Sequence, residues 1–100
     1  MYVVTNRVPV ASGYEEMFED RFRKRAGQVE QQTGFVRMHV LKPVSEDTPY
    51  VVMTYWENRQ AFLDWTQSED FRVAHQNPMP KEAFREGGGL EQFEVIISAG

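Results

Sequence analysis

The sequence predicts an α+β domain whose elements run β-α-β-β-α-β, the ferredoxin-like arrangement, and it predicts that two copies pair. Three observations lead there. Apolar stretches of strand length fall at residues 2–10, 35–42, 50–56 and 92–98, while apolar residues at helical spacing fill 12–31 and 57–75; strands and helices in that order make the split β-α-β motif. One hundred residues, 41% of them hydrophobic, make a single domain over residues 1–100 with room for a core, yet small enough to be helped by a partner chain. The two middle strands are apolar on both faces and want cover on both, whereas two helices cover only one. The other face is expected to meet the sheet of an identical subunit across a two-fold axis, giving a homodimer.

Tyr2 to Val10 alternates as a strand, with Tyr2, Val4, Asn6, Val8 and Val10 on one face and Val3, Thr5, Arg7 and Pro9 on the other. Asn6 is then the single polar residue on the more apolar face. A buried amide left unpaired costs roughly 1–3 kcal/mol, so Asn6 is expected to find a partner, by default the backbone. Ser12 to Glu15 reads as an S-x-x-E capping box opening a helix that runs to about Gln31. Tyr14, Phe18, Phe22, Ala26 and Val29 form its inward stripe. Arg21 and Arg25 border that stripe, where their heads either reach a pocket mouth or are merely solvated. The run from Arg21 to Arg25 sits among Glu15, Glu16, Glu19, Asp20 and Glu30, so it reads as a helix surface.

Thr33 and Gly34 end that helix, and Phe35 to Lys42 and Tyr50 to Trp56 form a hairpin around the turn Pro43 to Pro49. Phe35, His39 and Leu41 are expected on the face opposite Val36, Met38 and Val40. Taken alone, His39 reads as a packed or interface histidine, with no other ligand-type residue placed to join it.

Glu57 to His75 reads as two short helices in tandem, with N-caps at Asn58 and Ser68, the latter followed by Glu69 and Asp70. In one unbroken helix at about 100° per residue, Trp65 and His75 would lie roughly 80° apart around the axis. A restart at Ser68 lets both face one pocket. Ala61, Phe62 and Trp65 make one stripe, and Phe71, Ala74 and His75 another, each at the spacing of a buried face. Gln76 to Leu90, with Pro78, Pro80 and Gly87 to Gly89, is expected to be a flexible loop with one turn near Lys81 to Arg85, either a lid beside His75 or a connector. Gln92 to Ser98 is the last predicted strand, with Phe93, Val95 and Ile97 on one face.

Composition excludes much chemistry. Without cysteine there are no disulfides, thiolate metal sites, Fe–S clusters or CxxCH haem attachment, so any metal must be held by His, Asp or Glu. A formal charge of −4 and no long basic run argue against a nucleic-acid partner. No apolar run approaches the roughly 18 residues of a membrane span, and MYVVTNRVPV lacks the features of a signal peptide, so a soluble cytoplasmic protein is expected. Phosphate loops, HExxH and GxSxG are absent. A histidine beside a tryptophan would by itself be ordinary core packing.

The combination of residues says more. Asn6-Arg7 in the first strand, Arg21-Phe22 and Arg25 in the first helix, Gly34-Phe35 opening the second strand, and A-F-x-x-W-x-x-S-x-x-F-x-x-A-H from Ala61 to His75 resemble the IsdG-type haem-degrading monooxygenases. These form a branch of the antibiotic biosynthesis monooxygenase (ABM) superfamily of dimeric α+β barrels. The resemblance covers roughly residues 2 to 76. The A-F-x-x-W half speaks for the fold, whereas Asn6, Trp65 and the terminal His75 together are the signature of the haem branch.

That resemblance implies a haem oxygenase using O2 and electrons from an external reductase, with b-type haem as both substrate and cofactor. It implies His75 as the iron ligand through a neutral imidazole nitrogen, with the opposite side open for O2. It implies Asn6 as an amide donor on that open side, and Trp65 pressing on the porphyrin so that it ruffles. Arg21 and Arg25 would meet the propionates and Phe22 the ring. Two other classes compete: a cofactor-free ABM monooxygenase acting on a polycyclic aromatic with His75 as a base or orienting group, and a non-catalytic haem-binding dimer.

Overall fold

A computed structural model of the chain describes residues 1–24 and 28–100. The strands are β1 (Tyr2–Val8), β2 (Phe35–Leu41), β3 (Tyr50–Trp56) and β4 (Gly89–Glu94), and the helices α1 (Glu15–Lys24), α2 (Arg59–Thr66) and α3 (Glu69–Ala74). The strands form one antiparallel sheet in the order β2-β3-β1-β4, the predicted ferredoxin-like topology. β1 and β3 lie in the middle, in register from Tyr2 opposite Trp56 to Val8 opposite Tyr50. Period-two alternation then puts Tyr2, Val4, Asn6 and Val8 beside Trp56, Thr54, Val52 and Tyr50 on the side that the helices cover.

The core under those helices is in two parts. One gathers Tyr2, Val4 and Trp56 with Phe62 and Trp65 of α2. The other gathers Val10, Tyr50 and Phe18 of α1 with Met79 and Ala83. Between them lies the middle of the sheet, and this division positions the site described below.

Several local expectations change. α1 ends at Lys24 within the described residues, and Val29–Gln31 is a separate 3-10 turn, so no single helix runs to Gln31. Arg25 and Ala26 lie outside the described residues. The Glu15 carboxylate accepts from the backbone N–H of Gly13, at 2.7 Å, instead of closing a box on Ser12. Phe35 leaves the face of His39 and Leu41: a bulge sets Phe35 opposite Trp56 and Arg37 opposite Tyr55, so three residues of β2 face two of β3. The phenyl ring therefore turns inward and meets Trp56 edge-on at 5.5 Å, while His39 and Leu41 stay exposed.

The last strand starts earlier and stops sooner than Gln92 to Ser98. Its length is set by its neighbour: β1 offers partners only from Arg7, opposite Gly89, to Tyr2, opposite Glu94. Gly88 passes so close to β1 that a Cβ there would lie 3.0 Å from the Arg7 carbonyl oxygen. Past Glu94, one bond from the Val95 N–H to the Met1 carbonyl continues the pairing, and Ile96 and Ile97 are exposed. Before β4, the chain from residue 76 makes one 3-10 turn, Lys81–Ala83. It is joined to the end of β1 by an isolated bridge between Val10 and Phe84, flanked by Ala11 N–H to Ala83 O and Arg85 N–H to Pro9 O.

Thr5, Val51, Met53 and Tyr55 are half-buried on the opposite side of the sheet, and Arg37, His39, Leu41 and Phe93 are exposed there. Among the described residues no helix is long and apolar enough to cross a membrane.

Candidate active site

The gap between the two parts of the core is a cavity of about 360 Å3, within the size range of small-molecule sites. Val4, Asn6, Met38, Val52 and Thr54 of the sheet form its floor. One wall is α1 with Phe18, Arg21 and Phe22; the facing wall carries Phe62, Trp65, Phe71 and His75 from α2 and α3; Met79, Phe84 and Leu90 complete it. Asn6, Arg21, Phe22, Trp65 and His75, all singled out in the sequence, line this one space. Arg25 lies outside the described residues.

Asn6 corrects an expectation. It stands on the helix-covered side of the sheet with Val52 and Leu90 as lateral neighbours, yet it is exposed because the cavity lies over it. Its side chain has no hydrogen-bond partner among the described residues. The cost of an orphaned amide is avoided by exposure to the cavity, so the backbone partner expected from the sequence is not needed.

The predicted break between the two helices is present and carries its own chemistry. Asn58 caps α2 by accepting from Ala61 N–H at 2.9 Å. The Ser68 hydroxyl accepts from Phe71 N–H at 3.1 Å and donates to the Trp65 carbonyl at 2.7 Å. One hydroxyl thus ties the end of α2 to the start of α3, which gives the W-x-x-S-x-x-F spacing a physical cause. Trp65 is 7% exposed. Its indole stacks on Trp56 at 6.5 Å and meets the Phe71 ring edge-on at 5.3 Å. Trp56 is fixed in turn, its Nε1–H donating to the Thr54 hydroxyl at 2.9 Å.

His75 ends α3 as its C-cap. It is exposed at the cavity edge, not buried as the helical stripe suggested; Phe71 and Ala74 of that stripe are half-buried. The ring lies 4.1 Å from that of Phe71, and Nδ1 sits 2.8 Å from the Phe71 carbonyl oxygen. A carbonyl oxygen can only accept, so Nδ1 carries the proton. In the neutral ring Nε2 is then left with its lone pair, the form in which imidazole binds a metal or takes a proton.

Arg21 and Phe22 are half-buried on the α1 wall. Within the basic run the roles divide: Arg23 pairs outward with Glu19 and Asp20 at 3.1 and 2.9 Å, whereas Arg21 borders the cavity. α1 is held to the sheet by Glu19, which accepts from the Tyr50 hydroxyl and pairs with Lys42 at 3.0 Å. The Tyr50 hydroxyl and then Lys42 hold the Glu19 carboxyl below the ordinary range. Burial, then Glu19, pushes the Tyr50 phenol up to about 12.

Thr54, Met38, Phe84 and Leu90 were not singled out in the sequence. Thr54 was within reach, since it alternates with Trp56 on one face; Phe84 and Leu90 depend on how the chain returns from α3. His39 lies away from the cavity, edge-on to Tyr55 at 5.6 Å.

A family model described as antibiotic biosynthesis monooxygenase matches residues 1–77. A heme oxygenase (staphylobilin-producing) from Staphylococcus haemolyticus is 40% identical over 79 residues, 77% of this chain and 75% of that protein. A heme oxygenase (mycobilin-producing) from Mycobacterium tuberculosis is 33% identical over 101 residues, 98% of this chain and 91% of that one. Among solved structures, the heme-degrader MhuD from Mycobacterium tuberculosis, with two hemes bound in its active site, superposes with a TM-score of 0.82 at 32% identity, covering 100% of both chains.

Proposed function

The chain belongs to the antibiotic biosynthesis monooxygenase family, and on that premise we propose that it is a haem-degrading monooxygenase that cleaves the porphyrin ring oxidatively and frees its iron. The observation that carries this reading is the juxtaposition around one cavity of a stacked indole with an imidazole Nε2 and an amide that have no partner among the described residues. The cavity suits the substrate. Its walls are mainly apolar, as a flat macrocycle requires, and its polar groups are few and of the right kinds. The similarity to heme oxygenases and to a heme-bound structure supports the same choice.

In this reading His75 would hold the haem iron through Nε2, with the Phe71 carbonyl fixing its tautomer and ring direction. Trp65, backed by Trp56 and Phe71, has little room to retreat and would bear on the porphyrin, straining it toward reaction. Asn6, in the floor, would offer its amide N–H as a hydrogen-bond donor to dioxygen. Arg21 would meet the propionates and Phe22 would pack against the ring; a like role for Arg25 rests on the family resemblance alone. Bound haem supplies the redox-active iron and the ring carbon to be oxidised. Electrons come from an external reductant, by way of a reductase.

The reading includes a homodimer formed through the open face of the sheet, where Val51, Met53, Tyr55, Leu41 and Phe93 are at least partly exposed, and a cytoplasmic location. The test is an aerobic reaction with haemin and ascorbate or a reductase. The expected outcome is loss of the Soret band together with release of chelatable iron; a haem complex stable under those conditions would leave only binding. Oxidation of a polycyclic aromatic without cofactor would use the same Nε2 as a base. It predicts no Soret band when haemin is added.

A further inference from the structure

α3 is short and lightly held. It has six residues, none buried, and its contact with the core is made by Phe71 and Ala74. Yet it carries His75 at its end, and a ligand nitrogen is useful only if its direction is fixed. Among the described residues a side-chain bond reaches α3 from far along the chain: Gln32 Nε2 donates to Asp70 Oδ2 at 2.8 Å. The same nitrogen donates to the Gln28 carbonyl at 3.2 Å, so both amide hydrogens are used.

Gln32 is itself rooted. Its N–H donates to the Val29 carbonyl and its carbonyl accepts from Phe35 N–H, where β2 begins against Trp56. Val29, in the same turn, lines the cavity. Gln32 therefore links one wall and the base of the sheet to the first turn of α3, with His75 at the far end of that short rigid body.

We propose that Gln32 is a positioning residue for His75: by donating to Asp70 it fixes α3 against the cavity and so sets the direction of Nε2. Its consequence for iron binding rests on the haem reading above, but its consequence for α3 does not. Amide hydrogen exchange and the His75 ring nitrogen shifts, measured by NMR on the ligand-free full chain, separate the two. In Gln32→Ala and in Asp70→Ala, the α3 amides should exchange about fivefold faster, as loss of one hydrogen bond of ordinary net strength gives, with β3 unchanged and the His75 shifts displaced. The double variant should be no worse than either single one. Asp70→Asn, which keeps an acceptor oxygen, should restore wild-type behaviour. With haemin added, the single variants should release haem several-fold faster. Unchanged α3 exchange in Gln32→Ala, equal acceleration in β3, or additive single effects would overturn the proposal. Failure of the wild type to bind haemin would remove the haem reading and leave the ligand-free result to decide the positioning.

Discussion

At the scale of the residue, Asn6 shows how a side chain acquires a task from its surroundings. It sits mid-strand between Val52 and Leu90, and its side chain borders the cavity with no hydrogen-bond partner among the described residues. Asn6→Ala should therefore leave haem affinity nearly unchanged while slowing single-turnover ring opening about 10²-fold, the typical loss on removing one preorganised donor. An unchanged rate would remove Asn6 from the chemistry. Tyr50 and Glu19 give a pH prediction. The phenol is raised from 10.0 to about 12, so the stability that it contributes is complete below 10.0 and lost as pH rises through about 12. The Glu19 carboxyl is lowered from 4.5, so its contribution is present above that value and lost as pH falls through the lower folded value. A plot of Tm against pH for Tyr50→Phe should lack both the alkaline decline of the wild type between about 10 and 12 and part of its acid decline; identical profiles would refute the role given to this pair. That Asn6, Trp65 and His75 border one cavity was legible in the sequence, because strand alternation and the helix restart at Ser68 are local features. That Asn6 and His75 are exposed was not, since it follows from a gap between two parts of the core that no local pattern records.

At the scale of the element, the clearest case is the close approach of Gly34 to α2. A Cβ on Gly34 would stand 2.5 Å from the Cβ of Ala61, and φ there is +83°. The Gly34-Phe35 and Ala61-Phe62 pairs, far apart in the chain, are thus two sides of one contact. Gly34→Ala should cost about 1–3 kcal/mol from overpacking and an unfavourable backbone together, read as a lowered Tm; no change would mean that the contact yields freely. The two N-caps at Asn58 and Ser68 could be read directly because a cap is a short-range device. The bulge at Phe35–Arg37, the limits of β4 and the end of α1 could not. The first two are set by a partner strand, and the stripe drawn as far as Val29 does not reveal that Val29–Gln31 forms a 3-10 turn of its own.

At the scale of the whole molecule, strand order followed from the sequence of periods, and the apolar hairpin strands gave a reason to expect a second copy. The open face offers Val51, Met53 and Tyr55 along β3, a central strand, where water would otherwise lie against them. Met53→Asp should convert a dimer into a monomer in light scattering behind size exclusion; a wild type that runs as a monomer would contradict the pairing. The loop from residue 76 to Leu90 was the least legible part. Prolines and glycines mark it as irregular, whereas its Met79 and Ala83 fill the second part of the core and its Phe84 and Leu90 line the cavity. Haem binding at this site turns on His75 as the iron ligand. Titration of haemin into the wild type and His75→Ala, followed in the Soret region, tests it directly: the predicted result is a sharp, saturable band in the wild type that is lost or strongly weakened in the variant. The same band and the same Kd in both proteins would contradict it.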